Sequence, residues 1–149
     1  MTDRSSESDM SRISIAEFEE IARDRVPFVG QLGIVIERLD RGVVRLRVPY
    51  REDFVRPGGT IAGPVMMSLA DLAVYGAVLS MIGPVELAVT TNLNINFLRR
   101  PLPGDVIAEA RILKLGKRLA VGEVSLFRDG EDELVAHVTA TYSIPPHRE

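Results

Sequence analysis

A chain without cysteine and with only two histidines has few side chains that can do chemistry. His137 falls within the alternating stretch ELVAHVTATYSI (133–144), and no serine or aspartate pairing with it is visible by spacing; His147 follows two prolines near the C-terminus. The G-x-S-x-G context of a serine nucleophile is missing. Neither histidine has a second nitrogen or sulfur ligand at zinc-motif spacing. GKR at 116–118 resembles the end of a phosphate-binding loop only superficially, because the upstream glycine is absent and a strand, not a helix, follows. These absences argue against a serine triad, a zinc centre and nucleotide hydrolysis. What stands out is Asp71, near the middle of the apolar run IAGPVMMSLADLAVYGAVLSMIG (61–83). A carboxylate in a buried helix must be paired, protonated or used. If used, it is a general base. If not, it accepts hydrogen bonds from nearby backbone or from Ser68, or sits on one exposed stripe. The second feature is the turn GGTIAGP (58–64) leading into that run. Backbone donors at a helix N-terminus stabilise negative charge, including the oxyanion of an acyl transfer, and Gly63 lets a carbonyl approach closely. The same glycines also suffice simply to make a turn.

The elements that must position these residues follow from periodicity. Ser14 with Glu17 three residues on forms a capping-box pattern, and Ile15, Phe18 and Ile21 or Ala22 fall at helical spacing, which predicts an amphipathic helix over 14–25 that Pro27 ends. GIVIERL (33–39) and GVVRLRVPY (42–50) read as a hairpin, with Val44, Leu46 and Val48 alternating against Arg45 and Arg47. REDFVRPGGT (51–60) reads as a loop. The apolar helix runs from about Gly63 to Met81, with Pro64 suited to its first position and Gly83-Pro84 as its stop. Because it is apolar all the way round, it must be covered on nearly all sides. Four strands follow, at 86–98, 105–115, 118–128 and 133–144, with connections short enough for an antiparallel meander among the last of them. In the final strand Leu134, Ala136, Val138, Ala140, Tyr142 and Ile144 share one face. The expected fold class is α+β: a long antiparallel sheet wrapped around one central apolar helix.

The 149 residues suit one domain, 13–144, between a disordered tail at 1–12 and a short tail at 145–149. The N-terminus is polar and acidic where a signal peptide has a basic start and an apolar stretch, so the chain is expected in the cytoplasm. A net charge of −3 without a clustered basic excess argues against nucleic acid as a partner. Asp71 at the centre of the apolar run argues against a membrane span, since a carboxylate there costs roughly 2.5–3.5 kcal/mol on insertion scales.

PGGTIAGPVMMSLADLA (57–73), VTTNLNINFLRRPLPGD (89–105) and LKLGKRLAVGEVSLF (113–127) together resemble the phenylacetate-degradation-type acyl-CoA thioesterases of the hotdog superfamily, over roughly residues 30–144. The resemblance implies a hotdog fold and hydrolysis of an acyl-CoA thioester, with no metal and no cofactor. It places the family's acidic residue, which acts as nucleophile or as general base for water, on Asp71, the glycine whose N–H polarises the thioester carbonyl on Gly63, and a hydroxyl that positions water on Thr90 or its neighbour Thr91. It places Lys117, Arg118, Arg99 and Arg100 where relatives meet the phosphates and nucleotide of CoA; on the residues alone, a solvated surface explains these charges equally well. An asparagine that holds the water in relatives falls near Arg56, and the family's His-Gly-Gly is here Ala62-Gly63-Pro64, so those contributions are altered. The resemblance further implies a homodimer, or a dimer of dimers, with each site shared between two subunits. Two other functions on the same fold stay open: a non-catalytic acyl-CoA or small-ligand binder, and a dehydratase-like enzyme, which would need a histidine near the helix.

Overall fold

The structure, a computed structural model, describes residues 10–146. Residues 1–9 of the expected N-terminal tail, and 147–149 of the expected C-terminal tail with His147 among them, lie outside the described residues. Of the remaining tail positions, Arg12 donates its backbone N–H to Ser80 O at 2.7 Å, and Ile13 beside it is 2% exposed.

Helix α1 spans Ile15–Arg25. Its capping box is complete: Ser14 Oγ accepts from Glu17 N at 3.0 Å, and Glu17 Oε1 accepts from Ser14 N at 3.1 Å. Phe18 and Ile21 are buried, but Ile15 is exposed, so the apolar stripe begins one turn later than expected. Pro27 does more than end this helix. It opens a second short one, α2 (Pro27–Gly30), because a proline fits a first turn where no donor is needed. Strands β1 (Val35–Asp40) and β2 (Val43–Val48) form the expected hairpin, with Val44, Leu46 and Val48 turned inward. The segment expected as plain loop holds a 3₁₀ turn at Glu52–Phe54 and a two-residue ladder between β3 (Val55–Arg56) and β4 (Thr60–Ile61). Gly58 and Gly59 at its tip both take positive φ, which only the missing Cβ makes cheap.

Helix α3 runs Gly63–Ile82, with Ala62 as N-cap, and Gly83, at φ 90°, stops it. It is long and apolar enough to cross a membrane by composition, yet 72% of its most apolar window is buried inside the protein. Strands β5 (Val89–Phe97), β6 (Val106–Leu115), β7 (Leu119–Arg128) and β8 (Leu134–Ser143) complete the set. The sheet order is β1-β2-β6-β7-β8-β5, antiparallel throughout. β6, β7 and β8 form the expected meander. β5 does not lie beside β6; it pairs with β8 at the sheet edge, and the segment after Phe97 carries the chain back to β6. A six-stranded sheet curled around one helix is the hotdog arrangement.

Small side chains let the sheet come close to the helix. Ala108, Ala110, Ala120, Ala136 and Ala140 are at most 2% exposed and face inward, interleaved with Val124, Leu126 and Val138. Fully burying each larger side chain contributes about 1.5–3 kcal/mol. Near the end of α3, Ser80 Oγ donates to Ala77 O at 2.6 Å and accepts from Gly42 N at 2.7 Å, tying the β1–β2 turn to the helix. Across the helix from the sheet, α1 docks through Phe18 onto Gly76. A Cβ on Gly76 would lie 2.5 and 2.6 Å from two Phe18 ring carbons. Gly76→Ala, though it adds helix propensity, is therefore expected to destabilise the protein by about 1–3 kcal/mol through overpacking. Denaturant unfolding checks this, and a gain in stability would mean that α1 is not anchored there.

Candidate active site

Asp71 lies midway along α3, on the only stripe of its first half that the sheet leaves uncovered. Pro64 and Met67 on that stripe are exposed, and Ser68 and Asp71 are half-buried. Ser68 does not hold the carboxylate; its hydroxyl donates to Pro64 O at 2.8 Å. Two other hydroxyls do. Thr90 Oγ1, at the start of β5, donates to Asp71 Oδ1 at 2.6 Å. Tyr142 Oη, from β8, lies 2.7 Å from the same Oδ1 and 2.9 Å from the Asp71 carbonyl, so its one proton is shared between two acceptors on one residue. Burial pushes the Tyr142 phenol well above its usual range, and the neighbouring Asp71 charge acts in the same direction, so Tyr142 stays a neutral donor. Its ring stacks on Tyr75, with centroids 6.0 Å apart. Asp71 opens into a cavity of about 180 Å³ walled by Val26, Val29, Leu72, Ala88 and Tyr75.

Of the two candidate threonines, only Thr90 reaches Asp71. A bulge between Thr90 and Asn92 interrupts the β5–β8 register, and Thr91 is exposed, its hydroxyl donating to Thr141 O at 3.2 Å. Tyr142 was missed as a site residue, although a signal was there. It shares the inward face of β8, and a tyrosine buried among alanines and valines must find a partner for its hydroxyl.

Gly63 lies at the other end of the same stripe. Pro64 has no N–H and Val65 N donates to Ala62 O at 3.1 Å, while the Gly63 N–H has no partner among the described residues. Ala62 is held by its own backbone, which donates to Phe54 O at 2.8 Å. Gly63 borders a cavity of about 410 Å³ with Arg56, Met66, Phe97, Arg99 and Arg100. The Phe97 ring rests against the glycine, only 3.1 Å from where a Cβ would stand.

The two cavities are distinct, and within one chain Gly63 and Asp71 do not meet. Eight residues of helix separate them by about 12 Å at 1.5 Å per residue. The expected basic residues are also divided. Arg56 and Arg100 are exposed beside Gly63, with no side-chain partner among the described residues. Arg99 is not free: it pairs with Glu131 and, at 3.4 Å, with Glu133. Lys117 and Arg118 sit elsewhere, lining an open cavity of about 610 Å³ with Ile82, Val85 and Ile144 at the C-terminal end of α3. His137 pairs with Glu123 at 3.2 Å on the opposite face of the sheet from Asp71. No histidine among the described residues approaches the helix stripe, as a dehydratase-like site would need.

A family profile described as the thioesterase superfamily matches residues 58–135, a stretch that holds the glycine turn, Asp71 and Thr90. The chain belongs to the thioesterase superfamily. Its relatives agree. A protein of Saccharolobus solfataricus, provisionally named an esterase, is 33% identical over 132 residues, covering 89% of this chain and 86% of its own length. A crystal structure of a protein from Silicibacter sp. TM1040, provisionally named a thioesterase, is 40% identical with a TM-score of 0.82, covering 91% of this chain and 94% of that one. A mutant structure of the phenylacetic acid degradation protein PaaI from Thermus thermophilus is 29% identical with a TM-score of 0.71, covering 80% of this thioesterase and 99% of PaaI. The coarse chemistry is thus that of a hydrolase of the thioesterase type.

Proposed function

We propose that this thioesterase hydrolyses acyl-CoA thioesters at a site completed by two copies of the chain. The observation that carries the reading is the division of the machinery: a carboxylate held by two hydroxyls, and an unpartnered backbone donor about 12 Å away on the same helix face. The Gly63 N–H donates to the thioester carbonyl oxygen and strengthens that bond as negative charge develops. The Asp71 carboxylate takes a proton from a water whose oxygen bonds to the carbonyl carbon, or bonds to that carbon itself and is released by water in a second step. In both cases the C–S bond breaks, the electron pair leaves with sulfur as the CoA thiolate, and one water is consumed per acid and thiol formed.

The surface supports the sharing. β5 is an edge strand whose outer side is unpaired among the described residues, and Val89 and Phe97 on it, with Leu98 just past its end, are exposed. Asp71 faces Thr90 at one end of β5 and Gly63 faces Phe97 at the other, so the first half of α3 and β5 run side by side in opposite directions. Met67 stands midway between Gly63 and Asp71, and it is 40% exposed. A two-fold axis at Met67 would bring Gly63 of one copy to Asp71 of the other, at both sites, while covering the apolar stripe and extending the sheet edge to edge.

Asp71→Asn keeps the size of the side chain and removes its charge. Thiol release from acetyl-, hexanoyl-, palmitoyl- and phenylacetyl-CoA is expected to fall by about 10²-fold or more in kcat with the fold intact; near-normal turnover would sink the mechanism, and no thiol release by the parent protein would favour a binder. Lys117 and Arg118 are assigned to the CoA phosphates. Replacing both with alanine should raise KM for CoA esters in a salt-dependent way while sparing a pantetheine thioester, which lacks the nucleotide. Equal damage to both substrates would make the loop structural. Sharing is tested by complementation between Asp71→Ala and Gly63→Pro, the latter deleting the N–H. Each variant alone should be nearly inactive. Co-refolded in equal amounts, about half the dimers are mixed and each carries one intact site, so activity should return to about a quarter of the parent level. No recovery, with mixed dimers confirmed by mass, would rule the sharing out.

A further inference from the structure

Thr90 and Tyr142 come from strands that are neighbours at the sheet edge, and both deliver their protons to the same oxygen, Asp71 Oδ1, at 2.6 and 2.7 Å. Asp71 Oδ2 has no hydrogen-bond partner among the described residues. A carboxylate held at one oxygen by two donors cannot spin about its Cβ–Cγ bond, so the other oxygen keeps a constant direction. We infer that Tyr142 is a positioning residue: with Thr90 it holds Asp71 by Oδ1 and presents Oδ2 as the oxygen that reacts. The inference rests on the hydrolysis proposed above and adds to it a residue outside the stretch that the family profile matches, which ends at residue 135.

Several features suit Tyr142 to this task. The side chain is 3% exposed, so the hydroxyl has little access to water that would compete for its proton. Its second acceptor is the Asp71 carbonyl, at 2.9 Å, so it registers the backbone of α3 as well as the carboxylate. Its ring lies on Tyr75, interplanar angle 19°, and the Tyr75 hydroxyl is anchored on Glu86 O at 2.8 Å, which keeps the ring from tilting away. Thr90 alone would leave the carboxylate free to swing about a single hydrogen bond. Two donors from two strands determine its plane.

The charged and titratable groups around Asp71 are few. Tyr142 approaches from β8 and Tyr75 from α3, while Arg25 from α1 and Glu86 from the segment after α3 border the same cavity and pair with each other at 3.0 Å. Tyr142→Phe removes one oxygen and leaves the ring stack and the Arg25–Glu86 pair in place.

The test uses the full chain with Tyr142→Phe, kept folded as judged by circular dichroism. On the acyl-CoA most active with the parent, kcat should fall about tenfold or more with KM nearly unchanged. Thr90→Ala should lower kcat likewise, and the double variant should lose less than the product of the two single losses, because both hydroxyls hold one oxygen. The ¹³C resonance of the Asp71 carboxyl carbon at one fixed pH, which needs no turnover, should move when the Tyr142 hydroxyl is removed. An unchanged rate would overturn the inference. So would losses that simply multiply beside a carbon resonance that stays where it was, because that pattern belongs to a merely structural ring. If the parent releases no thiol from any acyl-CoA, the hydrolysis fails, and the carbon resonance still separates a Tyr142 that grips Asp71 from one that does not.

Discussion

Everything in this fold answers to one constraint: a 20-residue helix with a single charge and apolar side chains on every face. Such a helix cannot lie on a sheet with one side in water, as an amphipathic helix does. It needs a wall that bends around it. The long strands β6, β7 and β8 supply the curve, β2 continues it, and α1 covers part of what the sheet does not reach. The alanines on the inner face and Gly76 under Phe18 are consequences of the same demand, since close cover requires small side chains at the points of nearest approach.

The chemistry proposed above lies in the uncovered remainder. Where cover ends, α3 shows Pro64, Met67, Ser68 and Asp71 in one stripe, beside a strand whose outer edge has no partner among the described residues. A stripe half out of water can carry a carboxylate that a fully sealed helix could not, because desolvation there is partial and hydroxyl donors offset the rest. Thr90 and Tyr142 are those donors. Asp71 is thus not a defect in an apolar helix but the residue around which the start of β5 and the end of β8 are arranged.

Much of this was legible in the residues, for identifiable reasons. The strands of the meander could be read because alternation and short turns are local signals. Asp71 could be read because one charge in an apolar run contradicts its surroundings. The position of β5 could not. Nothing local distinguishes a strand that pairs with its sequence neighbour from one that pairs with the last strand of the chain, and the choice depends on the path the chain takes around α3. The basic residues show the same limit. Arg99, Arg100, Lys117 and Arg118 look alike in sequence, yet Arg99 is neutralised by Glu131 and Glu133 while Lys117 and Arg118 stand at the far end of the helix. Charge is visible in a sequence; partnership requires the fold.

The N-terminal helix lies outside the stretch that the family profile matches, but it is not outside the site. Phe18 of α1 meets Tyr75 edge to face at 6.4 Å, Tyr75 stacks on Tyr142, and Tyr142 holds Asp71. Each contact is a ring against a ring or a hydroxyl against an oxygen, and each ring is buried, so none can shift far without displacing the next. Gly76 sets the depth at which Phe18 enters. Val26 and Val29, from the end of α1 and from α2, then close one side of the cavity into which Asp71 opens. The helix that covers the apolar core therefore also braces the tyrosine that braces the carboxylate, and the size of the space beside Asp71 depends on how α1 and α2 are docked.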